Sequence, residues 1–307
     1  MLTAVFSLTG AFVFGAADFL GGLAAKRVSA LLATATAALS GFVLLVIAAP
    51  FLGGAWTVHD VLWGIVSGVA GAVAISLLYA CLAIGPMSIL SPLTAVVSAV
   101  VPMAWGLVVS GDRLAAIGSW ALGLALVAVV LVGFVPEKGA VRPSLRGVLM
   151  AIGSGIGIGA FFITIDQTSE ESGIVPLILN RGVNATIMFT AIGVIALVGG
   201  ARRRARDAAV ERMPRPTSVG AAVAPPRVDT SAGIRLAIAC GVVDVVANTL
   251  LLLGIRAGDL SVAAVLGAMY PAGTILLAAV VLRERIAPVQ WAGLVLALVA
   301  AGMLALA

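Results

Sequence analysis

Asp112-Arg-Leu-Ala-Ala-Ile-Gly-Ser-Trp-Ala-Leu-Gly-Leu-Ala-Leu-Val-Ala128 and Glu284-Arg-Ile-Ala-Pro-Val-Gln-Trp-Ala-Gly-Leu-Val-Leu-Ala-Leu-Val-Ala300 close two apolar blocks of similar length. Laid on each other without a gap, they share Arg113 with Arg285, Ala115 with Ala287, and all of 124 to 128 with 296 to 300. Each block holds five helix-length runs, so the chain reads as a duplicated membrane unit, 1–140 and 141–307. An odd number of spans per unit turns the second copy upside down in the bilayer. The expected result is a pseudo-two-fold axis in the membrane plane, with a substrate site near the midplane between the repeats.

Composition supports this reading. With 62% hydrophobic residues, 10% charged residues and a mean hydropathy of +1.21, the chain has too little polar material to cover a soluble globule. Runs long enough to cross a hydrocarbon core of about 30 Å recur along its length. They are Thr3–Ala24, Ala30–Leu52, Val61–Ile84, Ser88–Val109, Leu114–Val135, Gly147–Ile165, Gly173–Val198, Leu236–Ile255, Leu260–Leu282 and Ala287–Leu306. The expected fold is therefore an all-α membrane protein of ten transmembrane helices in two inverted five-helix repeats around a central cavity. The first run lacks a basic n-region and is too long for a signal peptide core, so it reads as an uncleaved helix.

Charge follows topology. Loops after odd-numbered runs hold fifteen Lys and Arg residues, whereas those after even-numbered runs hold Arg113 and Arg256. By the positive-inside rule the odd loops are cytoplasmic and both termini outside. Much of the bias comes from 201 to 233, where Arg202, Arg203, Arg204 and Arg206 are followed by Pro214, Pro216, Pro225 and Pro226. Its composition predicts a solvated, mobile loop between spans seven and eight. The basic residues form no stripe of the kind nucleic acid requires.

These features resemble the EamA branch of the drug/metabolite transporter superfamily, ten-helix proteins built from two five-helix repeats. The most specific stretch runs from Leu260-Ser-Val262 through Tyr270-Pro-Ala272 to Leu282-Arg-Glu-Arg285, similar to the family's proline and Glu-Arg signature. The first repeat is a weaker copy. Asp112 replaces the usual Glu, and Ser98 falls where Pro271 would map, with Pro102 one turn later. Gly15-Ala-Ala-Asp18-Phe-Leu-Gly21-Gly22 stands where many relatives carry a Trp-Gly-Ser type sequence. The resemblance implies a cavity lined mainly by spans one, three, four, six, eight and nine. It also implies cytoplasmic termini, opposite to the charge count.

Intramembrane ionisable residues are the candidate site, because a charge at the bilayer centre costs about 2.5 to 3.5 kcal/mol even on the translocon scale. Asp18 and Asp244 fall deep within runs. Asp244 and Asn248, spaced i and i+4, project from one helical face and address the same volume, as a substrate or proton site or as a buried network pinning helices. Asp18 lies among small residues and either reaches the interface or faces the cavity. Arg181 either snorkels to the interface, pairs with Asp18 or Asp244, or receives an anionic group.

Ser91, Thr94 and Ser98 form a polar stripe in span four. Ser261, Tyr270 and Thr274 stand around Pro271 in span nine, and all six are cavity candidates unless their hydroxyls bond neighbouring carbonyls. Pro102 and Pro271 are hinge candidates, and Glu284 with Arg285 a gate or an interfacial ion pair. Gly153-Ser-Gly155-Ile-Gly157-Ile-Gly159 lacks the Lys of a phosphate loop and reads as close helix packing. Cys81 and Cys240 have no redox or metal spacing, and the single histidine, His59, reads as a loop residue.

The expected function is secondary transport, as an exporter of small polar or amphipathic metabolites, amino-acid-like or drug-like, with proton coupling an option and no cofactor or metal. Expected partners are a small-molecule substrate and the bilayer of the plasma (inner) membrane, with no nucleic acid; a homodimer is allowed. The alternatives are an enzyme acting on lipid-linked substrates, for which no nucleophile and base pair is evident, and a helical scaffold or sensor that moves nothing.

Overall fold

A computed structural model describes residues 1–84, 87–133, 143–211, 230–283 and 287–306. Every regular element among them is helical. In order these are α1 (Leu2–Ala25), α2 (Ala30–Leu52), α3 (Val58–Ile84) and α4 (Met87–Trp105), which widens into a π-helical turn at Gly106–Ser110. Then come α5 (Ala116–Gly133), α6 (Leu145–Asp166), α7 (Val175–Glu211), α8 (Thr230–Arg256), α9 (Leu260–Gly267), α10 (Tyr270–Val281) and α11 (Pro288–Leu306). Helix starts are capped as the sequence dictates. The hydroxyls of Ser29 and Ser144 accept from the amides of Leu32 and Gly147 at 3.2 and 3.1 Å, satisfying donors that a first turn leaves free.

Among the described residues eight candidate spans are long and apolar enough to cross a membrane, with α9 and α10 counting as one; α5 and α11 are apolar but shorter. The chain is therefore an integral, multi-pass membrane protein.

Hydrocarbon gives helices no hydrophobic reason to associate, so close approach and packing must hold them. Along α1 and α8 the contacts run antiparallel. Gly258 meets Thr3, Gly254 meets Ser7, Gly10 meets Ala247 and Leu250, and Gly21 meets Cys240. The run Gly153 to Gly159 works the same way. Gly157 lies on Ala70 and Ala74 of α3, while Gly155 and Gly159 lie on Thr94, Val97, Val101 and Pro102 of α4. Ser154 adds an interhelical hydrogen bond to the Ala74 carbonyl at 2.8 Å, worth about 0.6 kcal/mol in such settings. The helices of the two related stretches meet: α5 packs on α11, with Gly293 against Leu131 and Val132.

Three expectations need correction. Residues 201 to 211 continue α7 rather than forming a loop, because Ala201-Arg-Arg-Arg-Ala-Arg-Asp-Ala-Ala-Val-Glu211 is made largely of helix formers and meets no proline until Pro214. Thr230 to Gly233 likewise belong to α8, and the intervening 212 to 229 lie outside the described residues. Span nine remains one span, but its helix is interrupted at Ala268 and Met269, where Pro271 has no N–H for the Gly267 carbonyl. His59 sits in the first turn of α3, where its Nε2 accepts from the Trp63 indole at 3.0 Å.

Candidate functional site

Four helices bring polar groups together at bilayer depth. Arg181 of α7 and Asp244 of α8 form an ion pair whose side chains are only 13% and 21% exposed. Snorkelling is thereby replaced by pairing. Asn248 donates through Nδ2 to the Asp244 carbonyl at 2.8 Å and to its carboxylate at 3.2 Å, as their i, i+4 spacing requires. Asp18 of α1 stands within electrostatic range of Asp244 and of Tyr270 on α10. Cys240, one turn before Asp244, lies against Gly21 of α1 and within electrostatic range of Asp18, Asp244 and Arg181. Thr274 ties the arrangement to α1 by donating to the Gly15 carbonyl at 3.1 Å.

Asp18 does not share the outward face of the first half of α1. The exposed residues of the first half of α1, Leu2, Val5 and Thr9, mark its lipid face. Asp18 and Gly22 are exposed as well, yet Asp18 lies nine residues beyond Thr9, which at about 3.6 residues per turn is the opposite side of the helix. That side looks at α8 and α10, and a Cβ added at Gly22 would meet nothing within 4 Å. Asp18 is exposed to a hollow on that side of α1.

The other candidates are placed differently. Thr94 is fully buried and donates to the carbonyls of Leu90 at 3.0 Å and Ala151 at 3.2 Å. Ser98, also buried, donates to Ala95 at 2.8 Å. Both hydroxyls are spent on backbone. The side chain of Ser91, and Glu284 and Arg285 entirely, lie outside the described residues. Pro102 packs against Gly159 within a helix that continues past it, whereas Pro271 stands just after the break between α9 and α10.

A second polar assembly, at the end of the molecule where even-numbered loops meet, escaped the sequence reading. Asp60 is completely buried and accepts from the Ser169 amide at 2.7 Å, the Ser169 hydroxyl at 2.9 Å and the Thr57 hydroxyl. Arg256 donates to the carbonyls of Ser169 and Gly173 and to the Ser172 hydroxyl, at 2.9, 3.0 and 2.9 Å. Only the spacing Thr57-Val-His-Asp60, which suits a helix cap, hinted at this. The eight residues of α9 are all buried just beneath, so this end is sealed.

A groove of about 560 Å³ among α2, α3 and α7, lined by Phe42, Val46, Trp56, Ile65, Ile178 and Ile187 among others, contains no ionisable residue. It is separate from the polar cluster. Among the described residues no three His, Cys, Asp or Glu side chains group as metal ligands.

Residues 145–306 match the EamA-like transporter family over more than half of the chain. The chain belongs to that family. No curated protein matches the sequence. A solved structure described only as "Crystal structure of protein" is similar to this EamA-family chain at 15% identity and a TM-score of 0.70, covering 99% of this chain and 98% of that one. The likeness establishes a shared fold over essentially the whole length. Membership makes this a membrane transporter-type protein and sets the residues at bilayer depth in that context.

Proposed function

We propose that the chain is a secondary-active exporter of small polar or amphipathic metabolites, built as ten spans in two inverted five-helix repeats, with Asp244 and Asn248 addressing substrate or proton. The observation that carries this is the convergence of Asp18, Arg181, Asp244, Asn248, Tyr270 and Thr274 on one hollow at bilayer depth. Ionisable groups are too costly there to persist without a role or a partner.

Helix pairing supports the inverted repeat. In two five-helix units, α1 on α8 has α6 on α3 as its counterpart, α1 on α9 and α10 has α6 on α4, and α5 pairs with α11 across the axis. The sealed even-loop end, with a hollow reaching Gly22 toward the other end, is what one state of an alternating-access cycle requires.

Flux of candidate metabolites into sealed vesicles containing purified protein tests the reading. With a proton-carrying Asp244, Asp244→Asn leaves insertion intact and flattens the pH dependence of transport, because an amide keeps the shape but does not titrate in this range. Wild-type flux with an unchanged pH profile, at matched abundance, would remove Asp244 from the mechanism.

A further inference from the structure

We infer that the hollow is a cation site, with Asp18 as the recognising carboxylate for an organic ammonium group; this rests on the transporter reading above and names the substrate class of the same site. The groups facing the hollow are Asp18 from α1, Asp244 and Cys240 from α8, Arg181 from α7 and Tyr270 from α10. Arg181 is committed to Asp244, and Asn248 also donates to that carboxylate. Asp18 has no hydrogen bond or ion pair among the described residues, so with both carboxylates ionised the hollow carries one uncompensated negative charge.

Nothing nearby among the described residues neutralises it. Among the described residues α2, α9, α10 and α11 carry no Lys or Arg. Lys26 and Arg27, eight and nine residues past Asp18, are exposed at the end of α1, about 12 Å away along the axis. Arg235 is nine residues before Asp244, and Arg256 is held in the sealed end. A carboxylate roughly 10 Å inside the end of a spanning helix and without a partner selects whatever cation enters.

An anionic or zwitterionic ligand fits less well, because Arg181 is already paired through Nη2 with Asp244 and its Nε is buried. Tyr270, within electrostatic range of Asp18, adds aromatic surface that suits an ammonium carrying an apolar body.

Three probes of similar shape and different charge test this: 2-phenylethylammonium, 2-phenylethanol and 3-phenylpropionate, titrated at neutral pH against the purified full chain by equilibrium dialysis and by the midpoint of thermal unfolding. The ammonium is expected to bind and raise the midpoint, and the alcohol and carboxylate are not. Asp18→Asn should weaken ammonium binding at least tenfold while leaving the ligand-free midpoint near wild type, and Asp18→Glu should restore most of it. Equal binding of the alcohol, preference for the carboxylate, no ammonium binding by folded protein, or full affinity in a folded Asp18→Asn each overturns the cation site. Vesicle flux separates the two readings. Ammonium binding without flux leaves the site and removes the transporter, whereas flux of the carboxylate or alcohol alone leaves the transporter and removes the site.

Discussion

Asp112, in the turn after α4, accepts hydrogen bonds from both the amide and the hydroxyl of Ser261, at 2.9 and 2.7 Å. Ser261 is the second residue of α9, so a carboxylate from the first half of the chain caps a helix of the second half and sits at the positive end of its dipole. The residue that resembled half of a Glu-Arg signature is a tie across the sealed end.

Replacing Asp112 by Ala should lower stability by about 1 to 2 kcal/mol, the usual cost of a lost cap, and Asp112→Asn by less. Thermal or denaturant unfolding in detergent reads the difference. Asp259, in the adjoining turn, has its carboxyl pushed above the ordinary range by burial and by Asp112. A raised folded-state value means that ionisation opposes folding, so Asp259→Asn should stabilise modestly at neutral pH. The gain should vanish once pH falls below the unfolded carboxyl value, where both states are protonated.

Breaking the Arg181 and Asp244 pair strands a charge in a low-dielectric setting. Arg181→Gln and Asp244→Asn should each destabilise by about 3 kcal/mol. The double variant should be less damaging than the sum, with a coupling above about 1 kcal/mol in a double-mutant cycle. Additive losses would show that the pair contributes nothing as a pair.

Gly155 and Gly22 make a contrast. A methyl at Gly155 would meet the Val97 Cβ at 2.6 Å and the Thr94 carbonyl at 2.8 Å, whereas at Gly22 it meets nothing. Gly155→Ala should cost about 1 to 3 kcal/mol through overpacking, and Gly22→Ala almost nothing. Gly22→Trp should fill the hollow and suppress flux at normal thermal stability.

Reporters fused at the C-terminus and within 212 to 229 should fall on opposite sides of the membrane. Ten spans put seven crossings before this segment and three after it, an odd number between the two points. Shared location would argue for nine or eleven crossings.

Much of this was legible in the sequence because bilayer thickness imposes long apolar runs, and the i, i+4 geometry of Asp244 and Asn248 follows from helix pitch alone. Hydroxyl partners were not legible. Thr94 and Ser98 look like a cavity stripe on a helical wheel, but whether a hydroxyl points its proton at a carbonyl one turn back or at open space depends on the neighbouring helix. The bonding of Arg256 to Ser169, Ser172 and Gly173 joins residues more than eighty positions apart, and no local pattern encodes that. Arg181 was ambiguous for a related reason: its partner sits on a helix whose register only packing decides.

The interruption at Ala268 and Met269 divides span nine into pieces with different neighbours. α9 is enclosed on every side and tied at its start to Asp112, whereas α10 borders the hollow and leans on α1 through Gly15 and Gly273. A rod would transmit a tilt at one end to the other; two short rods joined by a pair of residues need not. Amide exchange should therefore step along this span rather than fade, slow in Leu260–Gly267 and faster in Tyr270–Val281, with ligand in the hollow slowing only the second piece.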